Sequence, residues 1–408
     1  MSKGFSTACL HGYEDFTSNK AHVLPIFASS SFMFDDLDHG ISIFTKKEPG
    51  HVYSRYNNPT IQTVADKIAQ LESLGTGIES TAFLTSSGMS AIYIVMQSLL
   101  KPGDILLAQK KLYGGTTELF QKSLAPNGIQ ILSMDLSDTN EIEQSLKSNP
   151  GIKAIYLETP SNPTLDIVDI RAIAEIAQKY NVQTVVDNTF PTPYLQQPFL
   201  YGVDHIIHST TKYLNGHGNS IAGAIVSKHT DWMQTTVWTQ LKLIGATCNP
   251  FDAWLLYNGL KTLALRMDRH CTNAMAVAEL LESHQEVAAV YYPGLKSNRG
   301  YDIATKQMTR GYGGMLSFEL KGDLPAVKSF LKSIQLATQA PTLGDVDTLI
   351  MHPATSSHLN IVKEERIKEG VTDGLLRMSI GIEDTVDLLN DIQQALDKIR
   401  VIISGSDS

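Results

Sequence analysis

Between positions 61 and 262, short runs of aliphatic and β-branched residues alternate with stretches of helical periodicity, and this alternation restricts the fold more than any other feature of the chain. The runs at 82–85, 105–108, 129–132, 154–157, 184–186 and 205–207 are the candidate strands. In the intervening segment 168–180, Ile170, Ile173, Ala174 and Ala177 share one helical face while Arg171, Glu175 and Lys179 lie off it. Strands joined through helices return to the same end of a sheet, so they run parallel and are covered on both faces. An α/β domain built on a large, mostly parallel sheet is therefore predicted over 61–262.

The 408 residues exceed the roughly 250–300 at which a single core stops growing, so a further domain is required. Beyond 262 the pattern gives a long helix over 263–283, a β-like run at 314–320, an amphipathic segment over 385–403 and a frayed tail at 404–408, which together read as a smaller α+β domain over 263–408. Residues 1–60 show little periodicity and much Ser, Asp, Gly and Lys. They read as an irregular arm, and so long a loop is expected to pack on something else.

A net charge of −9 with no clustered Lys and Arg argues against a nucleic-acid or anionic-membrane partner. Cys9, Cys248 and Cys271 are far apart and form no Cys-x-x-Cys pair, which fits a reducing compartment and no thiolate metal site. With no leader-like apolar stretch at the start and no run of about 18 apolar residues, a soluble cytoplasmic protein is expected. His205 and His208, three apart on a strand, point to opposite faces and suit one metal ion poorly. No His-Glu-x-x-His, no Walker-type Gly-Lys-Ser/Thr and no strand followed by Gly-x-Gly-x-x-Gly occurs. Metal hydrolase and dinucleotide oxidoreductase chemistry are both disfavoured, and no metal is expected.

A ligand of a parallel sheet lies at the C-terminal strand ends, and three motifs fall there. Ser86-Ser87-Gly88-Met89 links a strand to the apolar helix at 91–100, so the first helix amides favour an anion there; as a tetrapeptide it is equally a turn with a Ser N-cap. Asp187 closes the run Gln183-Thr184-Val185-Val186, where a buried carboxylate can hold a pyridine nitrogen protonated or simply cap a turn. Lys212 follows Ser209, Thr210 and Thr211; its amine can close a Schiff base on an aldehyde, with the Ser209 and Thr211 hydroxyls beside a phosphate, although most Lys residues are solvated surface groups. Tyr113 precedes Gly114-Gly115, where the backbone can turn sharply and bring the ring onto a flat ligand or merely anchor a loop. Arg55, in Tyr53-Ser54-Arg55-Tyr56, offers a planar fork to a phosphate or a surface ion pair. Arg377, flanked by apolar residues, needs an anionic partner, for which Glu383 and Asp384 are internal candidates.

Taken together, these motifs, spread from Tyr53 to Asp384, make the chain resemble the Cys/Met-metabolism family of pyridoxal 5'-phosphate (PLP) enzymes, which includes methionine γ-lyase, cystathionine γ-lyase, cystathionine γ-synthase and O-acetylhomoserine sulfhydrylase. The resemblance implies a fold-type I, aspartate aminotransferase-like architecture and PLP as cofactor. It places Lys212 on the aldehyde, Asp187 on the ring nitrogen, and Ser87, Gly88, Met89, Ser209 and Thr211 about the phosphate. Asn162 comes to the phenolic oxygen of the cofactor. Tyr113 comes over the ring, near the leaving group, as a general acid worth roughly 10²–10⁴ in rate. Arg377 becomes the clamp on a substrate α-carboxylate, with Thr342 and Asn162 nearby. Tyr53 and Arg55 would reach the phosphate of a neighbouring subunit, implying a homo-oligomer with shared sites, a dimer of dimers.

The implied activity is γ-elimination on sulfur amino acids, with γ-replacement or cystathionine γ-lyase chemistry as the alternative. Segments 263–271 and 343–353 look most like methionine γ-lyase. Gly115 and Leu243 stand where that enzyme has Cys and Asp, and Thr342 replaces the usual Ser; Gly115 is similar to the γ-replacement enzymes.

Overall fold

In the computed structural model of the protein, which describes residues 3–11, 21–359 and 361–405, the predicted alternation becomes a seven-stranded sheet. Its strands are β1 (Thr81–Thr85), β2 (Ile105–Gln109), β3 (Gln130–Met134), β4 (Ile152–Glu158), β5 (Gln183–Asp187), β6 (His205–His208) and β7 (Gly223–Ser227), in the order β1-β7-β6-β5-β4-β2-β3. Strands β2 to β6 pair parallel, and β7 runs antiparallel to both β1 and β6. The period of two along each strand divides the core. Leu84, Leu107, Ile155, Val186, Ile206 and Val226 pack into one cluster, while their neighbours Phe83, Leu106, Ala154, Val185, Ile207 and Ile225 pack into another on the opposite face.

The strand absent from the sequence reading is β7. It opens on a glycine and has no helix before it, so nothing in the alternating pattern marks it. Gly223 is required by proximity: a Cβ there would lie 2.2 Å from the Ser87 carbonyl oxygen.

The second sheet comprises β8 (Val287–Tyr291), β9 (Met315–Leu320), β10 (Thr338–Gln339), β11 (Leu349–Met351) and β12 (Leu375–Ser379), ordered β10-β11-β12-β9-β8. It is antiparallel except between β10 and β11. Helices Leu263–Ser283 and Asp323–Ser333 pack against it, and helix Thr385–Gly405 packs on both of them. The last helix continues through Gly405 where a frayed tail is expected from 404; positions 406–408 of that tail lie outside the described residues.

The described part of the first 60 residues is less irregular than the composition suggests. Helix Phe5–His11 buries Phe5, Ala8 and Cys9 against this chain's own body, with the Phe5 and Tyr194 rings 5.1 Å apart. Helix Leu37–Phe44 is capped by Asp36, which accepts from the His39 amide at 2.8 Å. Helices of seven and eight residues are shorter than the window over which apolar periodicity can be read.

Candidate active site

Because β4, β5 and β6 are parallel neighbours, their last residues, Glu158, Asp187 and His208, arrive at one edge of the sheet. The loop after β6 doubles back over that edge. The Lys212 amide donates to the Ser209 carbonyl (3.1 Å), and the Gly216 amide to the Lys212 carbonyl (2.8 Å). Thr211 Oγ1 donates to the Ala222 carbonyl and accepts from the Ala222 amide, closing the loop at its base. Buried Arg266 holds the far side by donating to the carbonyls of Tyr213 (2.7 Å) and Gly259 (2.8 Å). The Arg266 guanidinium occupies the space where a side chain at Gly216, whose φ is +70°, would stand.

The start of helix Gly88–Leu99 completes this wall. Ser87 caps it, accepting from the Ser90 amide at 3.1 Å while the Ser90 hydroxyl accepts from the Ser87 amide at 2.9 Å. The helix end is pressed onto Ser209, since a Cβ at Gly88 would meet the Ser209 Cβ at 2.7 Å. Arg377 on β12 and the loop around Thr342 approach from the second sheet.

These elements enclose a cavity of about 260 Å³. Ser87, Gly88 and Met89 line it at the helix start, and Asp187, Ser209, Thr211 and Lys212 at the sheet edge. Tyr113, Asn162 and Arg377 line the remainder. Thr342 is tied in through its hydroxyl, which accepts from Lys212 Nζ at 2.9 Å. Tyr53 and Arg55 do not join them: the Arg55 guanidinium lies over the Tyr56 ring (4.9 Å) and the Tyr53 ring (5.5 Å) and donates to the Lys242 carbonyl. The sequence reading passed over Glu158, Thr189 and Phe190, which also line the cavity. Glu158 is the one with a recoverable signal, since it follows the candidate strand 154–157 as Asp187 follows 184–186.

Burial and the neighbouring charge of Arg377 push the Lys212 ammonium down to about 8, against the pull of Asp345. Arg377 is 5% exposed and, among the described residues, has no carboxylate within ion-pair distance. Of the two internal candidates, Glu383 accepts from the Thr348 amide and hydroxyl, and Asp384 pairs with Arg269 at 3.1 Å. Arg377 instead donates to Asn162 Oδ1 and the Thr342 carbonyl, both at 3.1 Å, and its Nε is buried without a partner. Burial lowers its pKa to about 10. Such a guanidinium is short of an anion.

Burial raises the Asp187 carboxyl, while hydrogen bonds from Thr189 and the charge of His208 act the other way. Its oxygens accept from the Thr189 amide (3.0 Å) and the Tyr156 hydroxyl (3.3 Å). The three histidines near Lys212 diverge, His205 to Ser227 and Gln183, His208 to buried Glu72 at 2.6 Å, and His217 to the Asn215 carbonyl.

The donor set fits PLP. An amine with a depressed pKa suits an aldehyde, a carboxylate at a strand end suits a ring nitrogen, and helix amides with the Ser209 hydroxyl suit a phosphate dianion, which the Thr211 hydroxyl joins by turning from the Ala222 carbonyl. The sequence profile described as Cys/Met metabolism PLP-dependent enzyme matches residues 6–397. An L-methionine gamma-lyase from Fusobacterium nucleatum is 41% identical over 397 residues, covering 97% of this chain and 98% of that protein. A cystathionine beta-lyase from Lactococcus lactis is 42% identical over 394 residues, 96% of this chain and 98% of its own. Among solved structures, cystathionine gamma synthase from Xanthomonas oryzae superposes with a TM-score of 0.91 at 38% identity, covering 98% and 100% of the two chains.

Proposed function

This chain belongs to the Cys/Met metabolism family of PLP-dependent enzymes, and on that premise we propose that it is a carbon–sulfur lyase acting on methionine or a close γ-substituted analogue, giving 2-oxobutanoate, ammonia and a thiol. The observation that carries the substrate class is Arg377, a buried guanidinium that lacks a carboxylate and faces the same cavity as Lys212. An α-amino acid brings the missing carboxylate and, on the adjoining carbon, the proton that Lys212 can take.

When bound, the cofactor supplies an aldehyde carbon for the amino group and a protonated ring that draws electrons from the substrate α-carbon. Ser87, Gly88, Met89, Ser209 and Thr211 would hold its phosphate, Asp187 would serve the ring nitrogen and Asn162 the phenolic oxygen. Arg377 grips the α-carboxylate through the donors that Asn162 and Thr342 leave free, Nε among them, with its orientation fixed by those two residues. Lys212, its pKa pushed down to about 8, would take the α-proton, return it to the carbon that the aldehyde supplied and, neutral again, take a β-proton, with Thr342 steadying its Nζ. Tyr113 gives a proton to the departing sulfur. Water then releases ammonia and the keto acid.

The room that Gly115 leaves is filled by Tyr113 itself, since a Cβ at 115 would lie 2.5 Å from the Tyr113 ring. A glycine whose space is taken by the Tyr113 ring adds no room there for a second substrate, which favours elimination over γ-replacement. The same proposal includes a homodimer, paired into a tetramer, in which Tyr53 and Arg55 contact the phosphate of the neighbouring site. It is supported by their not being among the residues that line this chain's own cavity and by the exposed apolar residues Met33, Leu37 and Phe44 of the same arm. We also assign residues 1–60 to the arm, 61–262 to the cofactor domain and 263–408 to the smaller domain. A cytoplasmic setting fits the three unbridged cysteines.

Product analysis with methionine, cystathionine and O-acetylhomoserine, each with and without sulfide, tests the reading. Methionine alone should yield 2-oxobutanoate. Consumption of O-acetylhomoserine with sulfide far faster than any elimination would make the enzyme a transferase.

A further inference from the structure

The cavity contains a second carboxyl that the mechanism above does not use. Glu158 ends β4 in register with Asp187 at the end of β5. Residues in register on paired parallel strands lie about 5 Å apart with side chains on the same face. Two carboxylates so placed cannot both ionise without a large penalty. Glu158 is the more enclosed, at 6% exposed. Its Oε1 accepts from the Asn162 amide at 3.0 Å, its own amide donates to Gln109 Oε1 from the end of β2, and the Tyr113 amide lies close enough to favour the charged form of the carboxyl.

Asn162 in turn accepts from Arg377, so one carboxyl joins the loop bearing Tyr113, the loop bearing Asn162 and, one step on, the guanidinium. Building on the PLP reading of this site, we propose that Glu158 is a positioning residue, held as the neutral acid, that ties the Tyr113 and Asn162 loops to the end of β4 and leaves the negative charge at this edge on Asp187.

The groups facing it agree. Asp187 approaches from β5, the Tyr156 phenol lies two residues back on its own strand, and the loops contribute only amides. Burial first and the Asp187 charge second push the Glu158 carboxyl up to about 8, against the two amides. This kind of separation, one acid kept neutral beside another kept charged, is how a single site presents both forms at once.

Removing the carboxyl as Glu158→Ala should lower turnover about 10- to 100-fold and raise KM, since both Tyr113 and the Arg377 support are loosened. Glu158→Gln, isosteric and neutral, should recover most of both losses. The melting temperature of the cofactor-loaded protein gives a readout independent of substrate. A carboxyl whose folded pKa is raised stabilises fully below its unfolded value near 4.5, and that contribution is lost as pH rises to about 8. Relative to wild type, Glu158→Gln should therefore gain melting temperature steadily between those pH values.

The proposal fails if Glu158→Ala, folded, has wild-type constants, or if Glu158→Gln is as impaired as Glu158→Ala. A pH-independent melting difference between Glu158→Gln and wild type would also overturn it, even if the Ala variant does not fold. None of these readouts depends on whether elimination or replacement is the preferred reaction.

Discussion

Replacing Gly115 with Ala tests how Tyr113 is held. A Cβ at position 115 would lie 2.5 Å from Tyr113 Cε1 and 3.2 Å from Cδ1 and Cζ. Carbon atoms settle at about 3.5–4.0 Å, so the ring must retreat by about 1 Å. It can do so without unfolding anything, because Tyr113 is 46% exposed and Gly115 lies in the helix Gly114–Leu119, where Ala is a better helix former by up to about 1 kcal/mol. Melting temperature should be unchanged or slightly higher. A proton donor moved by 1 Å, however, loses about 10²-fold, or about 2.7 kcal/mol of barrier. The rate of 2-oxobutanoate release from methionine measures this directly. Tyr113→Phe should lose the same step more completely, and Gly115→Ala added to Tyr113→Phe should cost little more, because both changes act on one hydroxyl. A Gly115→Ala enzyme with wild-type kcat, or an undiminished 10²-fold loss in the Tyr113→Phe background, would refute this account of Tyr113.

Borohydride reduction should fix the cofactor to wild type and not to Lys212→Ala, whose turnover should fall to background; full activity in that variant would remove Lys212 from the chemistry. Capture of added PLP by protein stripped of it should accelerate as pH rises to about 8 and then level off, because the Lys212 amine reacts unprotonated and its pKa is pushed down to about 8; a rise continuing to about pH 10 would indicate an ordinary lysine. Arg377→Lys should weaken every amino-acid substrate while leaving the cofactor spectrum intact, since an ammonium cannot make two parallel hydrogen bonds to a carboxylate; equal loss of PLP binding would mark Arg377 as structural. Arg55→Ala mixed with Lys212→Ala should regain activity through hybrid dimers holding one complete site, and exchanged hybrids without recovery would end the shared-site proposal.

Much of the site was legible because each residue carried a local signature. Asp187 ends a run of β-branched residues, Ser87 and Gly88 stand between a strand and an apolar helix, and Lys212 follows a hydroxyl cluster. Parallel pairing then brings such strand ends together without further information, so β4, β5 and β6 deliver their last residues to one edge. What was not legible depends on contacts distant in sequence. Strand β7 is five residues long and takes its place from its two antiparallel neighbours, not from a repeating pattern. Helices Phe5–His11 and Leu37–Phe44 are too short for periodicity, and the first is held by packing against the body of the chain.

Glu158 and Gly115 show where reading by residue type ends. In sequence, Glu158 follows a β-rich run, a signal it shares with any strand-end cap; its character comes from being in register with Asp187, 29 positions on, and from the Asn162 and Tyr113 amides that approach it from other loops. Gly115 suggests an opening when read as a missing side chain, yet the Tyr113 ring folds into that space. An absent atom therefore fixes the position of a neighbouring group as firmly as a contact would. It follows that exchanging Gly115 for the Cys found in methionine γ-lyases would not simply transplant their pocket into this chain: Tyr113 would have to move first, and the preference between elimination and replacement would be set by where its hydroxyl came to rest.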